Sequence, residues 1–167
     1  MSEVKKWFAL YTKPRHEFKA QAQLESENII CYLPTITKLK QWSDRKKKVT
    51  EPLFKGYIFI EATEKERLAA VECSAVVKTI FFDGRPSVIP EYQINSLKNL
   101  LSNTNKVQVF NEIIRGDRIK IKEGPFEGVE GVVYDVSKDE TMLAVNIDLL
   151  KRSVVVKLSA ADVSKKD

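Results

Sequence analysis

The chain has 167 residues, of which 43% are hydrophobic, and its 28 Lys and Arg outnumber its 23 Asp and Glu to give a formal charge of +5. This length fits one ordinary domain or two small ones, and the hydrophobic content excludes global disorder. The basic excess is mild, so it permits an anionic partner without requiring one. No apolar run reaches membrane-spanning length and no signal-peptide pattern opens the chain. We therefore expect a soluble cytoplasmic protein with no membrane partner.

The residue types that carry chemistry are sparse. Cys31 and Cys73 belong to no C-x-x-C pair and no His/Cys cluster, so two reduced, buried thiols are expected. We find no phosphate-binding Gly loop, no metal-ligand spacing and no nucleophile with an adjacent base. We accordingly predict no catalytic residue, no metal and no cofactor. Scattered carboxylates leave an enzyme only as an outlying alternative.

The first elements are a strand and a helix. Residues 7–11 (WFALY) are apolar throughout, which is typical of a central strand covered on both faces. Pro14 ends this strand, and residues 16–28 are rich in helix formers. The corner between the two carries four basic residues: Lys13, Arg15, His16 and Lys19. They indicate either a solvated helix start or a phosphate-facing patch aided by the helix dipole.

A short apolar strand over residues 29–33 is followed by a hairpin over residues 35–49. Apolar and polar residues alternate toward its tip, where Asp44 is the single acid. The tip cations are Arg45, Lys46, Lys47 and Lys48. Such a run is usually a solubilising loop. The alternative is a prong that contacts nucleic-acid phosphates, and binding of that kind weakens with salt.

Residues 51–61 read EPLFKGYIFIE and predict a strand bounded by Pro and Gly. Because neighbours on a strand point to opposite faces, Tyr57 and Phe59 share one face and Ile58 and Ile60 the other. The two Ile suit a core. The aromatics, with Phe54, are either core as well or an apolar surface for a partner.

Two further helices and two strands complete this half. Residues 63–66 form a capping box, which predicts a helix through Val71 that buries Leu68 and Val71. Residues 76–82 predict a buried strand, and a turn at Asp83 and Gly84 leads to a brief return strand at 87–89. Pro90 then opens a helix whose apolar residues are expected to face the sheet: Ile94, Leu97 and Leu101.

The last third of the chain differs in kind. Residues 106–112 are predicted to be a linker between a domain over 1–105 and a domain over 113–167. In the second domain, short strands are predicted at 118–121, 132–136, 142–147 and 153–158. Four glycines mark turns within residues 116–131, and further turns are predicted at 137–141 and 149–152. This spacing predicts a small β-barrel.

Three stretches resemble the NusG family in order and spacing: WFALYTKPRHEFKAQAQL, EPLFKGYIFIE, and GDRIKIKEGPFEGVEGVV, which is similar to the KOW signature. The resemblance implies an α+β protein. Its amino-terminal domain would have a mixed β-sheet flanked by helices, and its carboxy-terminal KOW domain would be a small SH3-like barrel.

The resemblance also implies a function without catalysis. Such a monomeric elongation and antitermination factor binds the clamp of the largest RNA polymerase subunit and suppresses pausing. The clamp-binding role falls on Tyr11, Phe54, Tyr57 and Phe59. The basic corner and the hairpin tip would approach non-template or upstream DNA. The KOW domain would recruit ribosomal protein NusE or the Rho terminator, through Ile147, Leu149, Leu150, Lys151 and Arg152.

Departures from the family pattern favour a specialised paralogue similar to RfaH and the UpxY regulators. Lys55 stands where NusG usually has Pro. The loop over residues 149–152 reads Leu-Leu-Lys-Arg, where housekeeping NusG carries a Phe-Gly pair near the position of Leu150, which argues against Rho as the partner. The alternatives are a housekeeping NusG and a ribosomal or other RNA-binding KOW protein. In RfaH the KOW domain can refold as a helical hairpin, but the strand propensity of residues 153–156 favours a standing barrel here.

Overall fold

The protein is described from a computed structural model that defines residues 3–104, 106–111, 113, 115–122, 124–136 and 140–159. The chain divides into two compact units, Met1–Pro90 and Glu91–Asp167. Within the described residues, no helix is long and apolar enough to cross a membrane.

The first unit contains nine strands and two helices in its described part. In chain order they are β1 (Lys6–Thr12), α1 (Glu17–Ser26), β2 (Ile30–Tyr32), β3 (Thr35–Gln41), β4 (Lys46–Pro52), β5 (Tyr57–Ala62), α2 (Glu64–Val71), β6 (Val76–Thr79), β7 (Phe81–Phe82), β8 (Arg85–Pro86) and β9 (Val88–Ile89). Both predicted helices of this unit are present, but the described part has more and shorter strands than the predicted order allowed, above all after α2.

The main sheet has the order β2-β5-β1-β6, and β9 also pairs with β1. Every one of these pairings is antiparallel, so the prediction of a mixed sheet was wrong. The reason is that β5 lies between β1 and β2 and runs against both, so the strands flanking α1 never become neighbours. The register sets Ala9 opposite Phe59 and Tyr11 opposite Tyr57.

The core of this unit lies between one face of the sheet and the two helices. Phe8 and Leu10 of β1 and Ile58 and Ile60 of β5 share it with Ala20 and Leu24 of α1 and Ala70 of α2. The predicted Ile58 and Ile60 face is therefore confirmed as core. Alternation along β5 then directs Tyr57 and Phe59 to the face away from the helices.

Helix α2 begins at the predicted capping box. Thr63 Oγ1 accepts from the Glu66 amide, and a Glu66 carboxylate oxygen accepts from the Thr63 amide at 3.0 Å. Of the two residues predicted to be buried, Val71 is partly buried against the core, but Leu68 is 52% exposed. Arg67 and Ala70 are buried instead. The box fixes where the helix starts, but the face that meets the sheet depends on its tertiary rotation.

Arg67 is held by partners that replace water around its guanidinium. Its Nη1 donates to Thr79 Oγ1 and its Nε donates to a Glu64 carboxylate oxygen, each at 2.9 Å. Its Nη2 forms an ion pair with Glu64. The guanidinium carbon lies 6.0 Å from the ring centroid of Phe8 and 5.6 Å from that of Phe81. The hydrogen bonds and charge of the pair raise the pKa of Arg67 and lower that of Glu64.

The strand predicted over residues 76–82 is divided into β6 and β7. Strands β7 and β8 form a small separate hairpin around the predicted turn at Asp83 and Gly84. Phe81 and Phe82 are 52% and 78% exposed, so the prediction that this end is buried was wrong. The chain leaves the sheet after Thr79, and an apolar sequence alone does not show where pairing ends.

The second unit contains α3 (Glu91–Asn103), β10 (Val107–Asn111), β11 (Asp117–Lys120), β12 (Glu130–Val136), β13 (Glu140–Ile147) and β14 (Arg152–Ser159), with a 3₁₀ turn over Asp148–Leu150. The strands form one antiparallel sheet in the order β10-β14-β13-β12-β11. The four predicted strands are confirmed. Barrel closure stays a prediction, and residues 137–139 of the predicted turn lie outside the described chain.

Two features of this unit differ from the prediction. The segment 106–112, predicted as a linker, contains β10, which pairs with β14 from Val107 opposite Val156 to Asn111 opposite Arg152. Helix α3, predicted to face the amino-terminal sheet, packs on β12 and β13 and belongs to the second compact unit. Its Ile94, Leu97 and Leu100 are fully buried. Pairing partners this distant in sequence leave no local signal.

Helix α3 is also tied to the sheet by polar contacts. Gln93 donates to Asp148 Oδ2 at 2.8 Å and accepts from the Asp148 amide, and Ser96 Oγ accepts from the Glu130 amide at 3.0 Å. A second network fixes the approach to β11. Ser153 Oγ, fully buried, accepts from the Ile113 amide at 2.8 Å, and Asn146 donates to the Ile113 carbonyl at 3.0 Å.

Candidate functional site

Four aromatic side chains form two contacting pairs on the side of the sheet away from α1 and α2, and we term them the aromatic patch: Tyr11, Phe54, Tyr57 and Phe59. The ring centroids of Tyr11 and Tyr57 lie 4.9 Å apart on adjacent strands. Phe54 meets Phe59 edge to face, with ring centroids 6.1 Å apart. The structure thus brings together all four side chains that the sequence singled out.

The turn before β5 sets the geometry of the patch. The Gly56 carbonyl accepts from the Thr12 amide at 2.9 Å, and the Gly56 amide donates to the buried carboxylate of Glu17 at 3.2 Å. Gly56 has a φ of +86°, a left-handed conformation that glycine adopts without strain. The turn therefore anchors Phe54 and the start of β5 to β1 and α1.

The four rings differ in exposure. Phe54 and Phe59 are 5% and 0% exposed, whereas Tyr11 and Tyr57 are half-buried. Lys78 of β6 places its Nζ 5.4 Å from the Tyr11 ring centroid, within cation–π distance. Tyr11 and Tyr57 are thus the accessible members of the patch, whereas Phe54 and Phe59 are buried.

The corner cluster (Lys13, Arg15, His16, Lys19) lies at the predicted junction of β1 and α1. Lys13, Arg15 and Lys19 are exposed, and the His16 ring Nδ1 lies 2.7 Å from the Pro14 carbonyl, so this nitrogen donates. His16 precedes the first residue of α1 but makes no side-chain cap to it. The corner therefore presents three exposed cations beside a helix start whose first turn carries the acid Glu17.

A cleft of about 580 Å³ lies beside the corner cluster, lined in part by Arg15, Glu17, Glu51 and Lys55. Its two acids balance its two bases. The buried Thr12 hydroxyl on its wall has no hydrogen-bond partner among the described residues. This balance of charge gives the cleft no preference for an anion, in contrast to the exposed cations around it.

Strands β3 and β4 form the predicted hairpin, with Gln41 paired to Lys46 and the Trp42 amide donating to the Arg45 carbonyl at 2.7 Å. We term residues 42–48 the hairpin tip. Its four predicted cations are all exposed: Arg45, Lys46, Lys47 and Lys48. Lower on the hairpin, Lys38 and Lys40 place their Nζ atoms 3.9 and 3.1 Å from Glu51 carboxylate oxygens. These contacts lower the pKa of Glu51.

The predicted partner loop of the second unit is only partly accessible. Ile147 and Leu150 are buried, Leu149 is half-buried, and Lys151 and Arg152 are exposed. Lys151 has a φ of +54° and closes the 3₁₀ turn in the left-handed conformation. A partner at this loop would therefore meet Leu149, Lys151 and Arg152 first.

The structure offers little for covalent or metal chemistry in its described part. Both cysteines are free and half-buried, and burial raises the pKa of Cys31 to about 11 and raises that of Cys73. No group of three or more His, Cys, Asp or Glu among the described residues could hold a metal ion. The thiols are therefore poor nucleophiles near neutral pH.

Comparison with known proteins agrees with this geometry. The family model described as "Transcription termination factor nusG" matches residues 5–98, which is more than half of the chain and includes the whole aromatic patch. The chain belongs to the NusG family. Members of this family are transcription termination and antitermination factors, not enzymes.

Relatives extend the match beyond the region of the family model. The transcription termination/antitermination protein NusG of Haemophilus influenzae is 25% identical over 153 residues, covering 89% of this chain and 83% of that protein. NusG of Staphylococcus carnosus is 24% identical and covers 97% of this chain and 96% of that protein. A solved structure of Thermotoga maritima NusG shares the fold, with a TM-score of 0.51 at 21% identity and 98% coverage of each chain.

Three residues at the site were missed by the sequence analysis. Tyr32 stacks on Phe59 with ring centroids 6.4 Å apart, and burial raises its pKa. The second is Lys78, whose ammonium lies over the Tyr11 ring. The third is Trp42, whose ring lies under the ammonium of the predicted Lys47. An aromatic residue beside a basic run was visible at Trp42, whereas Tyr32 and Lys78 reach the NusG-family patch only through strand pairing.

Proposed function

We propose that this NusG-family chain is a transcription elongation and antitermination factor that binds the clamp of RNA polymerase through the aromatic patch. The observation that supports this most is the half-buried Tyr11–Tyr57 pair on adjacent central strands, backed by two buried Phe rings. Clustered, rigidly supported aromatics are typical of binding hot spots. Binding across the polymerase would suppress pausing by favouring one conformational state, without covalent chemistry.

We further propose a specialised, operon-specific role, with a housekeeping NusG as the alternative. In this proposal the corner cluster contacts non-template or upstream DNA, and a KOW barrel over residues 113–167 recruits NusE more readily than Rho. Support comes from Lys55 beside Gly56 and from the 147–152 loop, where buried Leu150 and left-handed Lys151 occupy the region of a Phe-Gly pair in housekeeping members.

The test is binding to the cognate core polymerase, followed by single-round transcription through a strong pause site. Tyr57→Ala should weaken polymerase binding by about tenfold or more and abolish pause suppression, because a hot-spot truncation costs roughly 2 kcal/mol or more. Tyr57→Phe retains the ring and should behave like the wild type. Phe110→Ala removes an aromatic that is 44% exposed in the second unit and serves as the matched control.

Equal binding by the wild type and Tyr57→Ala would refute the site. A wild-type chain that binds no polymerase would refute the function. Pause suppression that requires the leader of one operon would support the specialised role, and suppression on any template would favour the housekeeping alternative.

A further inference from the structure

Lys78 adds a positive charge to the accessible end of the aromatic patch. Its strand, β6, pairs with β1 on the side opposite β5, and the register places Lys78 directly across from Tyr11. Residues directly opposite each other on paired strands point to the same face of the sheet. The exposed Lys78 side chain places its ammonium 5.4 Å from the Tyr11 ring centroid. A partner that contacts the Tyr11–Tyr57 pair therefore also meets this cation.

Two hydrogen-bond donors at this end of the patch have no acceptor among the described residues. They are the Lys78 ammonium, which forms no ion pair there, and the Tyr11 hydroxyl. Glu61 is the acid that alternation puts on the patch side of β5, but it pairs with Trp7. That position lies four residues along β1 from Tyr11, roughly 13 Å away in an extended strand. The two donors are therefore available to an acceptor from a partner.

We propose that the partner of the aromatic patch carries a carboxylate beside the apolar group that contacts Tyr11 and Tyr57, and that Lys78 pairs with this carboxylate. A carboxylate can accept from an ammonium and a phenol hydroxyl at once, because its two oxygens offer about four acceptor positions. Aromatic anchors supply most of the affinity of an interface, whereas a charge at its rim selects the partner and speeds association. The inference rests on the proposed function, which makes RNA polymerase the partner.

Binding of Lys78 variants to the cognate core polymerase, without nucleic acid, tests the pair. Lys78→Gln should weaken binding roughly fivefold, as expected for a charge pair at an exposed rim. Lys78→Glu should weaken it by about a hundredfold or more, because like charges then face each other. Lys78→Arg keeps the charge and should retain the wild-type affinity. The matched control is Lys65→Gln, which removes an exposed cation from α2 on the other side of the sheet and should bind like the wild type.

Salt and polymerase variants distinguish a charge pair from a structural role of Lys78. The difference in affinity between the wild type and Lys78→Gln at about 0.05 M salt should nearly vanish at about 0.5 M, because salt screens exposed charges. Core polymerases in which single acids of the clamp are changed to lysine should identify the carboxylate. One of them should restore tight binding of Lys78→Glu and weaken binding of the wild type.

Wild-type affinity in both Lys78→Gln and Lys78→Glu would overturn the inference, and so would a failure of every clamp variant to restore Lys78→Glu. A loss of binding that occurs with an elongation complex but not with the core polymerase would assign Lys78 to nucleic acid instead. The proposed function is tested separately. It stands if the wild type binds the polymerase and Tyr57→Ala does not, whatever the Lys78 variants do, and it fails if the wild type does not bind.

Discussion

Arg67 is a buried cation whose contacts constrain substitution in the first unit. Its guanidinium donates to Thr79 Oγ1, which belongs to a residue only 1% exposed, and lies near the rings of Phe8 and Phe81. Arg67→Ala should lower the free energy of unfolding by about 2–3 kcal/mol, because it removes these contacts and leaves the Thr79 hydroxyl without its donor. Urea denaturation of the purified variant measures the loss.

The matched control for that loss is Arg85→Ala, which removes an exposed guanidinium on β8 and should change stability by no more than about 0.5 kcal/mol. Arg67→Lys should recover only part of the stability, since an ammonium cannot reproduce the planar fork that joins Glu64 and Thr79. A fully stable Arg67→Ala would show that the contacts with Glu64 and Thr79 contribute nothing net.

At the scale of elements, a buried hydroxyl joins the Ile113 segment to β13 and β14. Ser153 Oγ accepts from the Ile113 amide and bonds Asn146 Oδ1 at 2.5 Å. Ser153→Ala should cost about 1–3 kcal/mol, because it leaves a part-buried amide and a side-chain oxygen unpaired. Faster hydrogen exchange at the Ile113 amide would localise the effect.

Ser102→Ala is the matched control, since the exposed Ser102 hydroxyl is bonded, among the described residues, only to Asn99 and Asn103 of its own helix α3. It should leave both stability and exchange at Ile113 near wild type. If Ser153→Ala exchanges at the same rate as Ser102→Ala, the network does not hold the Ile113 segment to β13 and β14.

Several features of the helices and strands could be predicted because they are determined by residues close together in the sequence. The capping box before α2, the hairpin turn at Trp42 and the alternation along β5 depend on residues a few positions apart. Leu68 was misplaced because helix spacing does not say which face meets the sheet. The antiparallel sheet and β10 were missed because β5 and β14 are distant in sequence from β1 and β10.

The residues of the candidate site also fall into those that local sequence predicts and those that only strand pairing reveals. Tyr57, Phe59 and the tip cations could be named from composition and alternation alone. The contact of Tyr11 with Tyr57 required the register between β1 and β5, and the burial of Phe54 required the turn at Gly56. Tyr32 and Lys78 entered the site through two further strands, which no spacing in the sequence indicates.

At the scale of the whole molecule, the formal charge of +5 matters less than where the cations lie. The hairpin tip is predicted to contact DNA phosphates, so a variant with Arg45, Lys46 and Lys48 all changed to Gln should bind a single-stranded oligonucleotide with a salt dependence lower by about 2 in log–log slope. A matched variant with Lys65, Lys106 and Lys122 changed to Gln has the same net charge and should retain the wild-type slope. Equal slopes in the two variants would show that only the overall charge acts.

Strand β5 has one face in the core and the other in the aromatic patch, and it hydrogen-bonds to a neighbour on each side. Deleting or inserting a single residue within Tyr57–Ala62 would exchange the two faces, sending Ile58 and Ile60 outward and both aromatics against the helices. This strand can therefore accept substitutions, but it cannot accept an insertion or deletion of one residue. Lineages that diverge in partner preference can alter the chemistry of the surface, but they inherit a stretch whose length is fixed by the interior it also builds.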